Sequence, residues 1–94
     1  MSPNIEMTLK IEAASDGQAG VLRLIGRIQS EYVDELQAQI RGLRARVVFD
    51  LDEVTLVDVA TVRFLIECEV KGIELLHCSP YIREWMGRER HRHE

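Results

Sequence analysis

Apolar and polar positions alternate early in the chain. Ile5, Met7, Leu9 and Ile11 are interleaved with Glu6, Thr8, Lys10 and Glu12. A period of two predicts a strand with one buried face, because successive side chains point to opposite sides. Ala13 to Gly20 is turn-rich and contains Asp16-Gly17. Val21 to Ile28 reads as a second strand, with Leu22, Leu24 and Ile28 on one face and Arg23 and Arg27 on the other. The short connection makes the pair an antiparallel hairpin.

The period then changes to that of a helix. Ser30 is an expected N-cap, and Glu31 and Asp34 suit the positive end of the helix dipole. Val33, Leu36, Ile40 and Leu43 form one apolar stripe, and Gly42 is placed to close the helix in the left-handed conformation. Arg46 to Leu51 is a short apolar run with little alternation, as in a strand covered on both faces. Asp58 is the expected N-cap of a second helix. Its apolar face is read as Val59, Val62, Leu65, Ile66 and Val70, its exposed side as an Arg63–Glu67 pair, and its stop as Gly72. Ile73 to His77 is a last short strand. Ser79-Pro80 opens a final helix anchored by Ile82, Trp85 and Met86 and ended by Gly87. Trp85 is expected to be buried with Ile82 and Met86.

The order β-β-α-β-α-β-α predicts an α/β domain with a mixed four-stranded sheet, three or more helices and right-handed crossovers. Ninety-four residues suffice for one domain. Residues 1–87 are read as that domain and residues 88–94 as a polar C-terminal tail. A net charge of −4 is no electrostatic footprint for nucleic acid, and no apolar run is long enough for membrane insertion. Met-Ser-Pro-Asn at the start does not read as a secretory signal. Cys68 and Cys78 lack CxxC spacing and fit two buried thiols in a reducing cytoplasm.

From about Gly20 to Trp85 the chain resembles the STAS domain family, the fold of bacterial anti-sigma factor antagonists. Three stretches carry the resemblance. Val21 to Ile28 is similar to the family's second strand, which ends in Gly-x-Leu/Ile, here Gly26-Arg27-Ile28. Val47 to Val62 is similar to the signature segment: an apolar strand ending in Asp-Leu, a short loop, then an aspartate that opens a helix. Ile73-Glu74-Leu75-Leu76 is similar to the strand that follows Lys-Gly. The resemblance implies a protein-interaction and regulatory role in the cytoplasm, without enzymatic activity or cofactor. It implies as partner an anti-sigma factor kinase or, for family members that lack the signature serine, a transporter ATPase served as a static accessory subunit. A second copy of the chain is a further candidate.

The signature itself departs. The family reads Asp-Ser-Ser-Gly-Leu-Gly and is phosphorylated on a serine by a partner kinase; the same positions here read Asp58-Val59-Ala60-Thr61-Val62-Arg63. Val59 and Ala60 carry no hydroxyl, and Thr61 stands on the family's glycine. The chain therefore lacks the acceptor for a switch that works by adding negative charge at a helix N-terminus.

Other chemistry is sparse. Asp50, Asp52, Glu53 and Asp58 cluster around one loop, and Asp50 and Asp58 are expected to satisfy backbone N–H groups at a strand end and a helix start rather than bind metal. His77 and Cys78, adjacent on a strand, would point to opposite faces and do not form a nucleophile pair. His91 and His93 are too few for a zinc site. No Gly-rich phosphate loop, GxSxG or HExxH occurs. Thr61 is read as bonding its own backbone rather than as a phosphate acceptor. For partner contact, Val54, Thr61 and Arg63 are the expected exposed residues, with Leu56 and Val62 in the core.

Overall fold

The computed structural model describes residues 9–15, 19–42 and 46–92. Ile5 and Met7 of the expected first strand, the Asp16-Gly17 turn, Leu43, His93 and Glu94 lie outside the described residues. The first two strands, β1 (Leu9–Ser15) and β2 (Ala19–Ile28), form an antiparallel hairpin in which Ile11 faces Leu24 and Glu12 faces Arg23. A single 3₁₀ turn, Ser30–Tyr32, leads into α1 (Val33–Gly42). Then come β3 (Arg46–Val57), α2 (Val59–Val70), β4 (Glu74–Leu76) and α3 (Pro80–Arg92). The sheet order is β1-β2-β3-β4, with β3 parallel to both β2 and β4.

Right-handed crossovers running the same way across the sheet put α1 and α2 on one face. Leu22, Leu24 and Ile28 of β2 and Phe49 and Leu51 of β3 point to that face. They pack with Leu36, Val62, Leu65, Ile82 and Met86 in one buried cluster. The other face carries ions, including the pairs Lys10–Glu12 at 3.4 Å and Arg23–Glu53.

The third strand is longer than its apolar run. Residues 52–57, expected as a loop, continue β3 along β2, past register shifts between Arg23 and Ile25 and between Gly26 and Arg27. Each shift adds a residue to β3, so its inward positions fall at Leu51, Val54 and Val57, three apart instead of two. Leu56, expected in the core, is turned out and 49% exposed. Gly26, between the two shifts, has φ 103°, a left-handed backbone that favours glycine.

Three helix boundaries differ from expectation. Ser30 caps nothing: it is the first residue of the 3₁₀ turn, and Gln29 at the cap position makes no side-chain bond. Gly42 ends α1 as a helical residue. Gly87 does not end α3, which runs on to Arg92 because Met86 and Glu89 continue the buried face begun by Ile82. Residues 88–92 are thus helical, not tail. Gly72 does stop α2. With φ 96° it lets Ile73 N–H reach Cys68 O at 2.9 Å and its own N–H reach Glu69 O at 3.0 Å, a paired C-terminal closure. Ser79 caps α3 as expected, its Oγ accepting from Ile82 N–H at 3.3 Å.

The buried arc of α2 is Thr61, Val62, Phe64, Leu65 and Cys68. Val59 and Val70, expected on that arc, are 40% and 77% exposed. Val59, Val62, Ile66 and Val70 also recur at helical spacing, so two overlapping apolar stripes compete in the sequence, and packing selects the one containing Phe64. Trp85, expected to be buried, is only half-buried, with its ring centroid 5.9 Å from that of Tyr81. The last strand stops at Leu76, and His77 adopts a left-handed φ of 57°.

Candidate functional site

Asp58 organises the junction of β3, α2 and the 3₁₀ turn. Its Oδ1 accepts from Thr61 N–H at 2.9 Å, the N-cap bond that satisfies an orphan donor of α2. Its Oδ2 accepts from Ser30 N–H at 2.8 Å, so the same carboxylate also holds the start of the turn that precedes α1. Thr61 Oγ1 lies 2.7 Å from Asp58 Oδ1 and 3.0 Å from Ile28 O, sharing its one proton between two acceptors. Partial burial pushes the Asp58 carboxyl up, but the bonds from Thr61 and Ser30 outweigh it and hold the group below the usual range.

Thr61 was expected as an exposed contact, yet its relative exposure is 0%. It is a tie between α2 and the end of β2, and its hydroxyl is spent on that tie. Val54 is half-buried against the core. Of the three expected contacts only Arg63 is exposed, and its partner is not Glu67: Arg63 Nε lies 3.2 Å from Glu89 Oε1. Glu89 is buried, so the C-terminal half of α3 sits beside the first turns of α2. The spacing of Ile82, Met86 and Glu89, i, i+4, i+7, was the available signal for that burial.

The other carboxylates are also engaged locally. Asp50 Oδ1 accepts from Asp52 N–H at 3.1 Å and lies 3.0 Å from His77 Nδ1. The bond to His77 lowers the Asp50 pKa, and the same bond raises that of His77. Glu53 pairs with Arg23 across the sheet. Among the described residues no group of three or more His, Cys, Asp and Glu side chains could hold a metal ion. Cys68 is buried, which pushes its thiol up to about 12; Cys78 is partly buried and shifted the same way by burial. Neither is an activated nucleophile. A cleft of about 130 Å³ between α1 and α2, floored by Phe64 and Cys68, is too small for a sizeable ligand.

What the end of the domain offers is surface. Leu56 and Val59 stand exposed on either side of Asp58, with Arg63 one helical turn beyond Val59.

A mixed β-β-α-β-α-β-α domain whose third strand hands over to a helix through a capping aspartate is a STAS-type fold. Residues 11–83 match the family model described as "Mlab, STAS domain", and the chain belongs to that family. Two solved structures share the fold. One is the STAS domain of an anti-sigma factor antagonist from Rhodobacter sphaeroides: 21% identity, 73% of this chain and 84% of that one covered, TM-score 0.53. The other is the anti-sigma factor antagonist SpoIIAA in its unphosphorylated form: 19% identity, 82% and 79% covered, TM-score 0.60. No curated protein matches the sequence. Among the described residues no helix is long and apolar enough to cross a membrane.

Proposed function

We propose that the chain is a non-enzymatic regulatory module that binds a protein partner constitutively, in the manner of an anti-sigma factor antagonist without the phosphoserine switch. The observation that carries this is Thr61. It is the only hydroxyl-bearing residue from Asp58 to Arg63, it is fully buried, and its Oγ1 is held by Ile28 O and Asp58. A kinase cannot reach that oxygen without opening the α2–β2 junction.

The same observation bears on the partner. An anti-sigma factor kinase is one class. A static cytoplasmic accessory subunit of a transporter ATPase is the alternative; it needs no acceptor at all, and the locked Thr61 is compatible with it as well. Incubating the purified domain with a kinase-type and a transporter-type ATPase, with and without ATP, separates them. A stable complex with the transporter ATPase and no phosphate uptake supports the static subunit. A complex with the kinase supports the antagonist reading, and phosphate on Thr61 overturns both.

A further inference from the structure

The hairpin leaves β1 at the edge of the sheet, and among the described residues its only strand neighbour is β2. An unpaired edge presents a row of backbone donors and acceptors to any strand that can lie along it. The opposite edge, β4, is three residues long and offers little length for pairing. β1 has seven residues, contains no proline and pairs with β2 without a bulge from Leu9 to Ser15. Of the devices that usually blunt an edge it keeps only charge.

The β2 register sets the two faces of β1. Leu9, Ile11 and Ala13 lie across from Gly26, Leu24 and Leu22 on the helix-bearing face, where Leu9 and Ile11 pack on the core yet stay only partly buried. Lys10 and Glu12 lie on the open face, their side chains 68% and 46% exposed. Arg23, across from Glu12, is held by Glu53 and leaves Glu12 to the edge. A twofold axis normal to the sheet lays a second β1 alongside, antiparallel, and sets each residue opposite one on the same face. Centring that axis on Lys10 or on Glu12 brings like charges together. Centring it on Ile11 sets Lys10 opposite Glu12 of the second copy, and Glu12 opposite its Lys10. Ile11 then meets its own copy, and Leu9 meets Ala13, a large side chain against a small one, so the half-covered apolar groups close over the seam. The charges that would repel another strand thus attract this one. We infer that β1 is a docking edge for a second copy of this chain, joined antiparallel about Ile11 into one sheet continuous through both.

Sedimentation velocity of the full chain over a rising concentration series tests it, and the chain should shift from monomer to dimer. Lys10→Glu and Glu12→Lys each set like charges across the seam twice and should weaken self-association about tenfold, with the loss shrinking at high salt. An equimolar mixture of the two variants puts opposite charges back across the seam and should dimerise at least as tightly as the unaltered chain. That rescue is specific to pairing between chains, because the like charges within each variant remain. Thermal unfolding checks that both variants fold. Hydrogen exchange on the unaltered chain needs neither variant: alternate backbone amides of residues 9–13 should slow as concentration rises. A chain that stays monomeric throughout, or exchange in β1 that is indifferent to concentration, overturns the proposal. So does a dimer that both charge reversals leave intact, or a mixture that associates no more tightly than either variant alone.

Discussion

Glu89 of α3 is buried while its ion-pair partner, Arg63 of α2, stays half in water, the two 3.2 Å apart. The burden of the pair is thus unequal. The carboxylate has lost most of its hydration, and the guanidinium replaces part of it.

Arg63→Glu is therefore no neutral surface change. It sets a second carboxylate against a buried one, and should lower unfolding stability by about 1–3 kcal/mol, below the 3–5 of a fully buried pair because Arg63 is solvated. Urea denaturation measures it. Glu89→Gln should restore much of the loss in the double variant.

Thr61→Val keeps the shape and deletes the hydroxyl, leaving Ile28 O buried without that donor. The expected cost is about 1–2 kcal/mol. Thr61→Glu, the usual mimic of phosphorylation, should instead disrupt folding, seen as loss of cooperative thermal unfolding. A well-folded Thr61→Glu protein would mean that the junction opens more easily than its packing implies.

The His77–Asp50 pair sets a pH dependence. The folded pKa of His77 is raised, so its contribution is complete below the ordinary histidine value of about 6.5 and fades as pH climbs through the folded value. The folded pKa of Asp50 is lowered, so its share is complete above about 3.9 and is lost as pH falls through the folded value. The pair should stabilise most between those limits. An NMR titration should find His77 above 6.5 and show it returning toward that value in Asp50→Asn.

Trp85 is half-buried against Tyr81, so Trp85→Ala should cost about 1–3 kcal/mol, less than the 3–5 of a fully buried aromatic. Thermal unfolding checks this, and Trp85 is the single tryptophan, so its fluorescence reports the local packing directly.

Strand and helix order was legible because the period of two in the first hairpin, the unbroken apolar run of Arg46 to Leu51 and the helical spacings around them follow one another in turn. The capping roles of Asp58 and Ser79 were legible from residue type and position. The outward turn of Leu56 was not. It depends on two bulges whose register is a property of the β2–β3 pair, and only Gly26 hints at them. The burial of Thr61 was hidden for a similar reason: its partner, Ile28 O, is a backbone atom 33 residues away. Arg63 offered two partners by reach, and the spacing rule chose Glu67 because Glu89 becomes a neighbour only once α3 runs past Gly87.

Intact-mass measurement of the domain bound to the ATPase proposed as its partner, before and after ATP, tests the central claim most directly. The account predicts that no species heavier by a phosphate forms and that the complex persists undiminished. Stoichiometric phosphate on Thr61 accompanied by release of the partner would contradict it.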